Sequence, residues 1–198
     1  MSARVPCAAA LLVLVAACAP EPDTGAERPA LELPQYDIGG DFTLTGPGGE
    51  PWSLEQARGR VVLLFFGYTV CPDFCPMTLS KLVQVDEALG ESGDEVLTVF
   101  VSLDPERDSP ERIAEYLSYY GIEAVGLTGS REEIDAVLVS YGGSYSLDEV
   151  DSAMRYLVTH STYVYLIDIE GRVRHLFGSL DEAAAIESGV RQLLEAGL

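Results

Sequence analysis

The chain has 198 residues, 47% of them hydrophobic, and a formal net charge of -20. That length supports one domain with a sizeable core, and that hydrophobic content excludes an intrinsically disordered class. With 12 basic residues against 32 acidic ones, nucleic acid is excluded as a partner, because phosphate binding needs clustered cations.

The acids are scattered, with no long single-sign block, and read as a solvated surface. Steering toward a cationic partner is the sharper alternative.

Met1–Cys18 reads MSARVPCAAALLVLVAAC: a short segment with Arg4, an apolar run Ala8–Ala17, then cysteine. The run is shorter than the ~20 residues of a membrane span and has the form of a secretory signal peptide. Val15-Ala16-Ala17-Cys18 resembles a bacterial lipobox, so residues 1–17 are expected to be a removed signal and Cys18 a lipidated first residue. Cys7 falls in the removed segment. Cys71 and Cys75 then remain, in an extracytoplasmic space where disulfides persist. Residues 18–35, with four prolines and several acids, have linker composition and are expected to tether a domain spanning 36–198.

Asp41–Leu54 reads as a β-hairpin about Gly46-Pro47-Gly48-Gly49. Val61–Phe66 is a continuous apolar run that suits a central strand buried on both faces. A helix follows, with Pro76 at its first position, Leu79, Leu82 and Val83 on one face, and an end near Gly90. Glu95–Leu103 is a second buried strand. Asp104–Asp108 is a loop, and Ser109-Pro110 opens a helix ending at Gly121. Ala124–Leu127 is a short strand, and Ser130 with Glu133 starts a capping-box helix reaching about Tyr141. Gly142–Thr159 reads as an irregular excursion or hairpin. Thr162–Asp168 and Arg172–Phe177 form a strand pair, and Leu180–Ala196 a final helix. Alternating strands and helices predict an α/β fold with a central mixed sheet flanked by helices. A closing hairpin and helix after βαβ is the thioredoxin-like arrangement.

The reactive chemistry concentrates in Tyr68-Thr69-Val70-Cys71-Pro72-Asp73-Phe74-Cys75-Pro76. Cysteines at i and i+4 of a regular helix lie about 5–6 Å apart at Cβ. An unadjusted disulfide needs ~3.8 Å. Pro72 and Pro76 disfavour a regular helix through Cys71, so the pair is compatible with both a disulfide and a metal. A helix N-terminus favours the thiolate, while Asp73, if near, opposes it. Three readings stand side by side: a stabilising disulfide, a redox pair and a soft-metal site. A five-residue loop gains little from closure. A metal site needs a third donor, and an imidazole beside two thiolates suits copper. His160 and His175 are the two histidines. His175 reads as structural. His160 closes the excursion at the mouth of a strand and reaches the thiols if that strand neighbours Val61–Phe66.

Three motifs in order, CPDFCP after a strand, VSLDPERDSPE, and THSTYVYLIDIEGRV, resemble the Sco/SenC family over roughly Tyr36 to Leu198. The family comprises membrane-tethered, thioredoxin-like copper proteins that assemble the CuA centre of cytochrome c oxidase. The resemblance implies that Cys71 and Cys75 are redox-active copper ligands and His160 the third ligand. It places Asp73, Asp104 and Asp108 near the site, with loop capping and helix entry as the alternative for the last two. It further implies a lipid-anchored protein on the extracytoplasmic face of a bacterial membrane. That protein would deliver copper, Cu(I) or Cu(II), to the CuA-bearing subunit, or reduce the cysteines of that subunit. The competing readings are a thiol–disulfide oxidoreductase or peroxidase and a redox or copper sensor. Tyr68, where a peroxiredoxin carries Thr or Ser, and the absence of Cys-x-x-Cys count against the enzymes.

Overall fold

The computed structural model describes residues 31–150 and 155–198. Cys18, the signal-like run and the tether up to residue 30 lie outside the described residues. Among the described residues, no helix is long and apolar enough to cross a membrane.

Strands β1 (Thr43–Thr45) and β2 (Pro51–Ser53) form the expected hairpin. The core sheet holds β3 (Val61–Gly67), β4 (Val96–Ser102), β5 (Ala124–Leu127), β8 (Val164–Ile167) and β9 (Val173–Phe177). Its order is β5-β4-β3-β8-β9. β3 lies at the centre, parallel to β4 and antiparallel to β8. Every residue of β3 is buried, as its unbroken apolar run requires.

The period of two in β3 divides the core. Val62, Leu64 and Phe66 join the hairpin and helix α3 (Arg131–Ser140) on one face. Val61, Leu63 and Phe65 join helices α1 (Phe74–Leu89), α2 (Pro110–Ser118) and α4 (Ala183–Ala196) on the other. Leu31 and Leu33 pack on that second face, and Arg174 donates to the Leu33 carbonyl across β9, with the Nε contact at 3.0 Å.

Ser109 caps α2 through Arg112 N–H, and Ser130 with Glu133 completes the capping box of α3. Two expectations need correction. α1 starts at Phe74, so Pro76 is its third residue and not its first. Proline fits there equally well, because the first four N–H groups of a helix have no intrahelical acceptor. Val85, not Val83, completes the buried face of α1.

Gly142–Thr159 holds a ribbon of two antiparallel strands, β6 (Tyr145–Glu149) and β7 (Tyr156–His160). It forms a sheet of its own, with no strand ladder to the five-stranded sheet.

Candidate metal and thiol site

β3 runs out at Gly67, and the chain turns through Tyr68, Thr69 and Val70 into Cys71. Gly67 has to lack a side chain. A Cβ there would lie 2.8 Å from the Cys75 sulfur and 2.8 Å from the Phe100 ring. The turn is held by Asp108, which is fully buried. Its carboxylate accepts from Thr69 N–H at 2.9 Å, the Thr69 hydroxyl at 2.5 Å and the Ser102 hydroxyl at 2.6 Å. Arg112 Nε stands 3.8 Å away.

Asp73 occupies the N-cap of α1, yet its side chain makes no capping bond. The Cys71 sulfur takes that place. It accepts from Cys75 N–H at 3.5 Å, and the Asp73 N–H adds a second backbone bond. Orphan amides and the positive end of the helix dipole thus converge on one sulfur. The exposed Asp73 carboxylate stays outside this arrangement.

The two thiols are unequal acids, and both are free. The Cys75 thiol donates to the Cys71 sulfur, and this bond is the largest influence on each. Burial of Cys71 opposes it, while His160 and the backbone amides reinforce it, leaving Cys71 lowered to about 3. The same bond, then burial, then the charge on Cys71, push Cys75 strongly up. The reduced pair therefore carries one proton, on Cys75.

His160 ends β7, just before β8, and β8 is the neighbour of β3. Its Nδ1 lies 2.8 Å from the Ser161 carbonyl oxygen. A carbonyl can only accept, so Nδ1 carries a proton there, and Nε2 is left as the ring nitrogen not engaged by the backbone. The imidazole lines an open cavity of about 200 Å³ together with Tyr68, Cys71, Asp73 and Phe74. It also lines a smaller adjoining cavity with Cys75. His160 thus borders both sulfurs. Among the described residues, no three His, Cys, Asp or Glu side chains already converge as a metal cluster. Here the shared thiol proton makes the contact between the sulfurs. His175 packs on Phe177 in β9 with ring centroids 4.5 Å apart, and lines neither cavity.

Asp104 is fully buried behind the site. It accepts from the Tyr156 hydroxyl at 2.6 Å and from Arg107 Nε. Neither Asp104 nor Asp108 lines the two cavities.

Tyr68 is the neighbour that the sequence reading undervalued. Its buried hydroxyl bonds the Cys71 sulfur and accepts from Val158 N–H on β7, and its ring meets His160 edge-on at 6.2 Å. Burial above all pushes this phenol up to about 12, so it stays a donor. An aromatic directly after the glycine that ends a buried strand was the available signal.

A mixed sheet with a dithiol where its central strand meets a helix defines a thioredoxin-like protein. The family profile described as SCO1/SenC matches residues 31–195. A SCO2-like protein of Rickettsia felis is 35% identical over 142 residues, covering 71% of this chain and 69% of its own length. The crystal structure of Arabidopsis thaliana ScoI with copper bound aligns at a TM-score of 0.75 and 34% identity, over 80% of this chain and 99% of that one. BsSco, a Sco-family cytochrome c oxidase assembly protein with an identified disulfide switch, aligns at 0.63 and 25% identity, over 81% of this chain and 95% of its own. The chain belongs to the SCO1/SenC family.

Proposed function

We propose that the protein binds copper as cargo and takes part in assembling cytochrome c oxidase, with Cys71, Cys75 and His160 as its ligands. The observation that carries this reading is the position of one imidazole on the border of both thiol cavities, its Nδ1 turned away to a backbone carbonyl. Two thiolates and an imidazole form a soft donor set suited to copper. A copper-bound relative with the same fold supports the choice of metal. Copper would displace the Cys75 proton and draw His160 in. It would leave by stepwise exchange of thiolates with the CuA-bearing subunit, so that the ion is never released. A lipid on Cys18 would hold the domain at the extracytoplasmic face of a bacterial membrane.

A second reading uses the same atoms and rests on the inequality of the thiols. Cys71 thiolate attacks one sulfur of the partner's disulfide, and the other sulfur leaves as a thiolate. Cys75, once deprotonated, attacks Cys71 in the mixed disulfide and frees the second partner sulfur. The partner gains two electrons, and this chain ends with a Cys71–Cys75 disulfide.

Copper titration of the reduced protein tests the first reading. One equivalent binds the wild type, none binds Cys71→Ala, and His160→Ala binds more weakly. Unchanged affinity and spectrum in His160→Ala would remove the imidazole from the ligand set.

A further inference from the structure

The ribbon that carries His160 lacks a ladder to the main sheet, and an isolated two-stranded ribbon is marginal in water. Of the described residues in its two strands, only Val158 is buried. Its position over the thiols must therefore come from side chains: Tyr68 holds Val158 N–H at its middle, and further contacts lie at its two ends. At the end where β6 passes to β7, the Tyr156 hydroxyl donates to buried Asp104 at 2.6 Å. Arg107 stacks over the Tyr156 ring at 3.8 Å, donates to the Tyr156 carbonyl at 3.1 Å, and pairs with Asp104. At the other end, Tyr145 stands opposite His160 in the ribbon register. Its hydroxyl accepts from Arg131 at 3.0 Å, and Arg131 also pairs with Glu106.

Asp104, Glu106 and Arg107 belong to one loop, and that loop ends at Asp108, which holds Thr69 in the turn before Cys71. Arg107 also faces the Tyr68 ring at 5.8 Å. One five-residue loop thus grips both the cysteine turn and the histidine ribbon.

We propose that Tyr156 and Arg107, anchored on Asp104, form a latch that positions His160 over the thiols, with Arg131–Tyr145 as its second point of attachment. These are positioning residues, since none of them lines either thiol cavity. The metal-binding consequence rests on the copper reading above; the placement of the ribbon does not.

The test uses the full chain, reduced and metal-free, with amide hydrogen exchange as its first readout. In Tyr156→Ala, amides of β6 and β7 exchange at least roughly tenfold faster while those of β3 and β4 keep their rates. Tyr156→Phe keeps the ring under Arg107 and loses only the bond to Asp104, so it falls between. Copper titration is the second readout, and Tyr156→Ala weakens binding about as much as His160→Ala does. Unchanged ribbon exchange would overturn the latch, and so would equal acceleration across the whole sheet. Faster ribbon exchange with unchanged copper affinity, where His160→Ala does weaken binding, would overturn its role at the site. If His160→Ala leaves affinity unchanged, the copper reading fails, and the exchange arm still decides the latch.

Discussion

Two thiols that share one proton cannot both be nucleophiles, and the backbone selects which one is. Cys71 collects the helix-start amides and the Cys75 thiol, whereas Cys75 sits deeper, at 1% exposure against 8%. Because Cys71 is lowered to about 3, it is already a thiolate at pH 5. A free thiol near ~8.5 loses tenfold in thiolate for each unit below that value. Iodoacetamide should therefore modify Cys71 at a nearly constant rate from pH 5 to 8, and Cys75 far more slowly. A rate at Cys71 that climbs tenfold per unit over this range would mean that the helix start and Cys75 do not hold its charge. At this scale the sequence was only partly legible. The spacing revealed the pair, but which sulfur takes the amides depends on where α1 begins. That start, at Phe74, was masked by a proline that tolerates any place in the first turn.

Among the elements, the β8–β9 hairpin carries the clearest electrostatic commitment. Asp168, with a fully buried side chain, accepts from Glu170 and Arg172 N–H at 3.0 and 2.9 Å and from Arg172 and Arg174 guanidinium groups at 2.8 and 3.1 Å. Burial pushes this carboxyl up, but the Arg172 and Arg174 bonds together outweigh it and leave it below the usual range. A depressed folded value means stabilisation that is complete above the unfolded value of ~3.9 and is lost as pH falls through the folded one. Asp168→Asn should cost about 3 kcal/mol at pH 7, and the gap from wild type should close below about pH 4. Urea unfolding of both proteins from pH 7 to 3 measures this. A gap that persists undiminished at pH 3 would assign the loss to hydrogen-bond geometry and not to charge. The hairpin itself was readable, since two apolar runs flank Ile169-Glu170-Gly171. The β6–β7 ribbon was readable as an excursion or a hairpin and no further, because its strands alternate weakly and depend on Arg107 and Arg131.

Across the whole molecule, the surface carries far more negative charge than its arginines can pair. Lys81, the sole lysine, is spent on the Ser179 and Asp181 carbonyls. Self-repulsion of this kind destabilises a compact state and is screened by salt. Raising ionic strength from 0.01 to 0.15 M shortens the screening length from about 30 to about 8 Å. The melting temperature should rise by a few degrees over that range, as followed by calorimetry. A fall would mean that exposed pairs such as Arg60–Glu123 outweigh the repulsion. The α/β order was legible at this scale because β3 and β4 are buried on both faces, so β3 appears as an unbroken apolar run and β4 as one broken only by Thr98 before it ends at Ser102. The placement of β8 beside β3, which brings His160 toward the thiols, follows from pairing that no local pattern encodes.

The bond from His160 Nδ1 to the carbonyl of the very next residue is as local as a side-chain bond can be. Both partners travel on the same stretch of chain. The orientation of the ring about its own backbone is therefore set within the ribbon and not by the thiols that it faces. The face that the imidazole presents to the two cavities is thus fixed by the backbone of its own residue and the next, before any group beyond the ribbon acts on it.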